Sequence, residues 1–341
     1  MTAPDLDGLF RREASRLVPY LLRRLGPRHF DLAEDAVQDA FVEAVRRWPH
    51  RGVPDDPRAW LLRVAHRKAL DRLRRDATAE RKSHLLFEEG VFELEPARTM
   101  ADEAAVLLLA CHPALPRDQQ VALALRSLGG LTTSEVARAL LISESAAAQR
   151  IVRAKRELEG RGVEPLAGPD LEARLDGALE VLYLIYSEGH QATGGPDLVR
   201  ADLVGEALRL AEALASSPAT ARPRVDALLS LMHFGASRLR ARTDTLGDLV
   251  LFGDQDRGAW DERHIALGFR HLGAATRGDD VSRFHLEAGI AALHAQTPQG
   301  GAPDWPRILD LYDALFAAWP SPVIALNRAV AVLRVRGSEA A

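Results

Sequence analysis

Two stretches of this chain carry cations and amides at spacings that suit nucleic acid. In 144–158 (ESAAAQRIVRAKREL), Ser145, Gln149, Arg150, Arg153 and Arg156 fall on one side of a helix, opposite Ala147, Ile151, Ala154 and Leu158. Amide and guanidinium groups make bidentate hydrogen bonds to base edges, so such a face suits a major groove. In 57–76 (PRAWLLRVAHRKALDRLRRD), Arg63, Arg67 and Arg74 line one flank and Lys68, Arg72 and Arg75 the next, against only Asp71 and Asp76. Neutralising phosphates with such a patch releases condensed counterions. A helix C-terminus attracts cations for dipole reasons, which explains Arg74 and Arg75 but not Arg63 or Arg67. A third stretch, 31–48, presents Glu34, Asp35, Gln38, Asp39 and Glu43, an acidic and amide face that is either solvated or fitted to a basic partner.

The elements that must position these side chains are helices. Alternating strand patterns are nearly absent and helical periodicity runs almost throughout, so the chain is expected to be all-α. Thr133 or Ser134 is expected to cap a helix whose apolar side is Val136, Ala137, Leu140 and Leu141, and Ser143 to cap the helix after it, giving a helix-turn-helix. Asp31, with Glu34 three residues on, reads as a capping box for the acidic helix, whose apolar face is Ala33, Ala36, Val37, Ala40, Phe41, Ala44, Val45 and Trp48. In the basic helix Leu62, Ala65, Ala69 and Leu73 face inward. These features divide the chain into a block over 1–76, a linker over 77–100, a helix-turn-helix block over 101–160, a Gly/Pro-rich linker over 161–170 and a helical region over 171–341. Breaks near Gly194–Pro196, Pro218, Gly253–Gly258, Gly278, Pro298–Pro303 and Pro320–Pro322 suggest paired helices stacked in a tetratricopeptide-like manner.

Composition narrows the chemistry. At 341 residues with 47% hydrophobic content, two or three domains are expected, and a net charge of −4 confines any DNA contact to local basic patches. A single cysteine, Cys111, excludes an internal disulfide, and no apolar stretch reaches the ~20 residues of a membrane span, so a soluble cytoplasmic protein is expected. Glu188-Gly-His190 lacks metal-ligand spacing, and Asp254, Asp256, Asp261 and Glu262 lack a calcium-loop pattern and read as capping residues. Cys111 reads as a buried thiol, and Leu182, Tyr183, Ile185 and Tyr186 as core. No metal, cofactor or catalytic constellation is expected.

Together these residues resemble a bacterial sigma factor of the extracytoplasmic-function (ECF) type. AEDAVQDAF (33–41) is similar to the family's region 2.2, which docks on the β′ clamp helices of core RNA polymerase; WLLRVAHRKALDRLRR (60–75) is similar to regions 2.3 and 2.4, which melt and read the −10 element. The helix-turn-helix at 131–158, ending in RAKREL, resembles region 4.2, which reads the −35 element. The remainder resembles one ECF group with a long helical C-terminal extension, through VLYLIYSEGHQA (181–192), DQDRGAWDERHI (254–265) and DWPRILDLYDALFAAWPSPVIALNRAVAV (304–332). The resemblance implies core-polymerase binding by Asp35, Gln38, Asp39 and Glu43, −10 contacts from Arg63, Arg67, Lys68 and Arg72, and −35 contacts from Ser145, Gln149, Arg150 and Arg153. It also implies control in cis by the extension, through a small-molecule or protein regulator.

Three departures qualify the carry-over: Arg67 stands where family members often have Asn, Leu141 where many have Gly, and Ala147 and Ala148 where bulkier or basic residues are usual. A positive φ at Leu141 would store about 1–2 kcal/mol. The alternative reading is a helix-turn-helix regulator with a helical ligand-binding domain; such a regulator has no use for a paired acidic helix and basic helix upstream.

Overall fold

Among the residues described by the computed structural model (3–80, 96–159, 161, 168–191, 198–244, 247–278, 280–298 and 300–337), every long element is an α-helix. The one β-type pairing is an isolated bridge between Thr243 and Leu249. The all-α expectation therefore stands. The chain divides into two compact units, Met1–Val181 and Leu182–Ala341. The division lies eleven residues beyond the expected linker at 161–170, inside a continuous helix.

The first unit begins with α1 (Ala3–Leu25), α2 (Phe30–Arg51) and α3 (Pro57–Glu80), followed by α4 (Pro96–Ala110), α5 (Arg117–Ser127), α6 (Thr133–Ala139), α7 (Glu144–Leu158) and the start of α8 (Gly168–His190). α2 packs on α1 and α3 around Leu17, Leu21, Phe30, Ala33, Val37, Ala40, Leu61 and Leu62, all almost fully buried. Removing that apolar surface from water supplies the main stabilisation, roughly 25 cal/mol per Å². Trp48 and Trp60 meet edge-to-face at 5.4 Å where α2 and α3 converge. The expected linker narrows at both ends, because α3 continues to Glu80 and α4 starts at Pro96; 81–95 lie outside the described residues. α4 packs against α1, where Arg23 donates to the buried Asp102 at 2.9 Å, and both sequence blocks fall within the first compact unit.

Several local expectations are corrected. α2 starts at Phe30 with His29 at its N-cap and no side-chain cap, so Asp31 is not the cap; its carboxylate is instead drawn to Lys155 at 2.7 Å. Val45 is exposed, because α1 and α3 cover α2 only as far round as Ala44 and Trp48. In the basic helix Leu62, Ala65 and Ala69 are buried as expected and Leu73 is half-buried. The cap of α6 is Thr132, not Thr133 or Ser134. Its hydroxyl accepts from the Glu135 amide at 3.2 Å while the Glu135 carboxylate accepts from the Thr132 amide at 2.8 Å, a reciprocal pair that only this register allows. Ser143 caps α7 as expected, accepting from Ala146 N at 3.2 Å.

In the second unit α9 (Ala201–Ser216), α10 (Pro223–Ser237), α11 (Glu262–Ala275), α12 (Arg283–Gln296), α13 (Trp305–Ala318) and α14 (Pro322–Arg336) follow the end of α8. The described sequence breaks all fall between helices; Gly194–Pro196 lies outside the described residues. α10 is the hub, packing on α9, α11 and α12 through Val225, Leu228, Leu229 and Met232. It approaches α11 closely because Gly268 lies under the Phe234 ring, where a Cβ would come within 2.6 Å of a ring carbon. α12, α13 and α14 share a smaller core of Ile290, Ile308, Leu309, Leu315, Ala331 and Val332. α14 packs on α13, and its outer face, Val323, Leu326, Val330 and Leu333, is exposed. Asp261 caps α11, accepting from Arg263 N and His264 N, and Trp260 lies just before that helix.

The turn between α6 and α7 holds Leu141 at φ 52°, with its side chain 60% exposed, so it is not part of the apolar face expected for α6. Left-handed geometry costs a branched side chain about 1–2 kcal/mol, whereas Gly adopts it freely at an unfolded-state entropy cost of about 0.5–1 kcal/mol. Leu141→Gly is therefore expected to stabilise the chain by about 0.5–1 kcal/mol, read as a higher urea midpoint at unchanged m-value.

Candidate nucleic-acid and polymerase interface

α7 buries Ala147, Ile151, Ala154 and Leu158 against α5 and α6, as the 3.6-residue period requires. Burial of Ala147 removes it from any role in reading bases; Ala148 is half-buried. Ser145, Gln149, Arg153 and Arg156 face outward and are exposed. Arg150 differs: it leans back onto the first turn of α5, where its Nε meets the Asp118 carboxylate at 3.0 Å. Ser145 shares a hydroxyl–hydroxyl hydrogen bond with the capping Ser143 at 3.0 Å.

On α3, Arg63 and Arg67 are exposed and Lys68 is half-buried, and none of the three has a carboxylate partner among the described residues. Arg72 does. Its guanidinium bridges to Asp35 at 2.7 Å and Asp39 at 3.2 Å on α2, so a residue expected at DNA ties itself to two expected at polymerase. Gln38 is exposed beside them, and Glu43 pairs with Arg47 one turn on at 2.5 Å.

Sequence reasoning put Glu34 on the outer face of α2, but it is buried at 9% exposure. Around it converge Lys155 Nζ from α7 at 3.1 Å, Arg126 Nη2 from α5 at 3.3 Å and the Ser127 hydroxyl at 3.3 Å. Lys155 also reaches Asp31 at 2.7 Å, and Arg126 donates to the Leu131 carbonyl at 3.0 Å. Asp31, Glu34, Arg126 and Lys155 thus join the acidic helix to the helix-turn-helix, and none of these contacts was visible in the sequence. Local periodicity assigned Glu34 to solvent because its partners lie 92 and 121 residues further along the chain.

No grouping of three or more His, Cys, Asp or Glu side chains among the described residues is arranged to hold a metal ion, and none of their helices is long and apolar enough to cross a membrane. Cys111 is buried, and burial pushes its thiol up to about 12, which suppresses thiolate chemistry.

Comparison with known proteins agrees with this geometry. Residues 9–78 match sigma-70 region 2, residues 105–158 match sigma-70 region 4, and residues 174–276 match a family of unknown function (DUF6596). An uncharacterized protein of Rhizobium meliloti is 40% identical over 325 residues, covering 92% of this chain and 76% of its own. ECF RNA polymerase sigma factor SigM of Mycobacterium tuberculosis is 32% identical over 157 residues, covering 45% of this chain and 74% of its own. ECF RNA polymerase sigma factor SigK of Mycobacterium bovis is 28% identical over 188 residues, covering 46% of this chain and 96% of its own. No solved structure matches. The chain belongs to the ECF RNA polymerase sigma factors: it is an alternative sigma factor that directs transcription initiation, with a helical C-terminal extension. Sigma-70 regions 2 and 4 imply binding of core RNA polymerase and promoter DNA.

Two of the three arginines of α7, Arg150 and Arg153, are expected to respond differently. Arg153 is exposed, so Arg153→Ala should weaken binding to a −35 duplex by about 1–3 kcal/mol if it reads a base, or lower the salt slope by about one if it holds a phosphate. Arg150 must first leave Asp118, so Arg150→Ala should cost less. Fluorescence anisotropy across a salt series distinguishes these outcomes, and equal affinity for both variants and the parent would remove α7 from the −35 site.

Proposed function

We propose that Asp35, Gln38, Asp39 and Glu43 bind the β′ clamp of core RNA polymerase, that Arg63, Arg67, Lys68 and Arg72 engage the −10 strand, and that Ser145, Gln149, Arg150 and Arg153 engage the −35 duplex. The free chain is a closed form of this machine. The observation that carries the reading is the salt-linked contact between α2 and α7 through Glu34 and Lys155. Two elements roughly 25 base pairs apart lie on the order of 85 Å from one another along B-form DNA at ~3.4 Å per pair. Modules in direct contact cannot reach both, so initiation requires that this contact open.

Binding to polymerase and DNA supplies the exchange. When the clamp takes Asp35 and Asp39, Arg72 is released to the −10 strand; exposed pairs of this kind are worth at most about 1 kcal/mol, so the swap is easy. Arg63, Arg67 and Lys68 then hold the unstacked strand along a cationic groove. Action in the cytoplasm follows from these partners. The extension regulates in cis. Support comes from α8, whose first half is fastened to the helix-turn-helix block: Arg117 Nη1 donates to the Gly177 carbonyl at 2.7 Å and to Gln120 at 2.9 Å. A helix-turn-helix regulator would give the paired surfaces of α2 and α3 nothing to do.

Reconstitution tests the reading. The purified chain, added to core polymerase and a supercoiled promoter template, should give promoter-specific transcripts. The combined Arg63→Ala, Arg67→Ala and Lys68→Ala variant should bind core polymerase but fail to open the promoter. Absence of core binding by the parent chain would overturn the assignment of the α2 face. A chain ending at Val181 should initiate at a different rate from the full chain, and an unchanged rate at equal expression would remove cis regulation.

A further inference from the structure

In the first unit the half-buried cations Lys155 and Arg126 share a carboxylate, but among the described residues of the second unit two arginines, Arg238 and Arg242, have none. Arg238 is the C-cap of α10, and Arg242 follows it after a single 3₁₀ turn, Leu239–Ala241. Neither guanidinium meets a carboxylate among the described residues. Arg242 is only 6% exposed, and its Nε has no hydrogen-bond partner. Two desolvated charges of one sign without a counter-ion are an arrangement that folding alone does not favour.

Their neighbours add no negative charge. Tyr186 stacks on His190 at 5.5 Å, both close to α10 because residue 235 is Gly; a Cβ there would overlap the Tyr186 hydroxyl. Burial, then Arg238 and Arg242, push His190 down to about 2, and burial, then Arg238 and Arg257, push His294 down to about 4, so both rings stay neutral. A chain segment closes the other side. Val250 N donates to the Arg242 carbonyl at 2.8 Å and Asp261 N to the Ser237 carbonyl at 2.7 Å, which pins 250–261 to the end of α10. That brings the Phe252 ring within 5.0 Å of the Arg238 guanidinium and sets Trp260 against the same ring at 5.9 Å, its indole N–H buried and also unpartnered. Phe252 remains 37% exposed, so this side of the cluster reaches solvent.

The helix dipole and the Phe252 face offset part of the cost of burying Arg238. Neither serves Arg242, which lies beyond the helix end. What the cluster lacks is an oxyanion: it has guanidinium and indole donors, an aromatic wall and no acceptor charge. We infer that this cup on the C-terminal extension binds a small organic anion, a carboxylate or a phosphate ester, with its oxygens on Arg238 and Arg242 and its apolar part on Phe252. The inference deepens the regulatory reading above by naming the ligand class, and its test reads binding alone, so it can fail while promoter function stands.

Inorganic phosphate and acetate are the probes, each titrated to low millimolar levels into the full chain at ionic strength held constant with sodium chloride. Thermal unfolding is expected to shift upward with the anion, since a ligand that binds only the native state stabilises it by mass action. Comparison of phosphate with acetate distinguishes a phosphate-ester site from a carboxylate site. Arg242→Met is expected to unfold at a higher temperature than the parent without anion and to lose the anion-dependent shift, while Arg240→Gln, at an exposed neighbour, keeps it. A second measurement uses the parent chain alone: phosphate or acetate should slow phenylglyoxal modification of Arg238, followed by peptide mass spectrometry, and leave Arg240 unaffected. No upward shift beyond chloride for either anion, a shift retained in Arg242→Met, or equal modification of Arg238 with and without anion would each overturn the site.

Discussion

The first unit depends on one buried carboxylate. Glu34 on α2 has lost most of its water, and a carboxylate in that position costs several kcal/mol unless cations and donors replace the solvent. Arg126, Ser127 and Lys155 do so, and they come from α5 and α7. Satisfying Glu34 therefore fixes where the helix-turn-helix sits against the acidic helix. Replacing Glu34 with Gln would leave Lys155 with Asp31 alone, a loss on the order of 2–3 kcal/mol and less than for a fully isolated ion because Asp31 is open to water.

A second, weaker set of pairs surrounds this contact. Arg72 with Asp35 and Asp39 lies at the surface, where solvent reduces such bonds to about 1 kcal/mol or less. The difference in magnitude separates the two sets: on the reading proposed above, the surface pairs are the ones exchanged for DNA and polymerase, while the Glu34 contact holds the helix-turn-helix against the acidic helix. The extension has the opposite electrostatics. Its helices α9, α11 and α12 pack on α10, and at the end of that helix Arg238 and Arg242 meet no carboxylate among the described residues, which is the observation behind the anion site inferred above.

Much of this was legible from local pattern. The buried stripe Ala147, Ile151, Ala154 and Leu158, the Ser143 cap, the inward row of α3 and the breaks between the extension's helices all follow from period and punctuation, which short-range physics sets. The misreadings have a common cause. Helical face alone assigns Glu34 and Arg150, and capping-box spacing assigns Asp31, yet each is placed by a partner distant in sequence, Lys155, Arg126 or Asp118. Sequence alone does not single out Thr132, because three hydroxyl residues stand in a row near the helix start and only the reciprocal bond with Glu135 selects among them. The unpaired Arg238 and Arg242 had no sequence signature, since the absence of a carboxylate is a property of packing.

The distance between α2 and α7 tests the closed-to-open account most directly. Spin labels at Val42→Cys and Val152→Cys occupy exposed positions on the two helices, and the native Cys111 is buried and unreactive. The account predicts a single short distance in the free chain, a partial shift to longer distances in Glu34→Gln, and a shift of tens of ångströms when core polymerase and promoter are added. The same distance in the free and promoter-bound chain, or a long distance already present in the free chain, would contradict it.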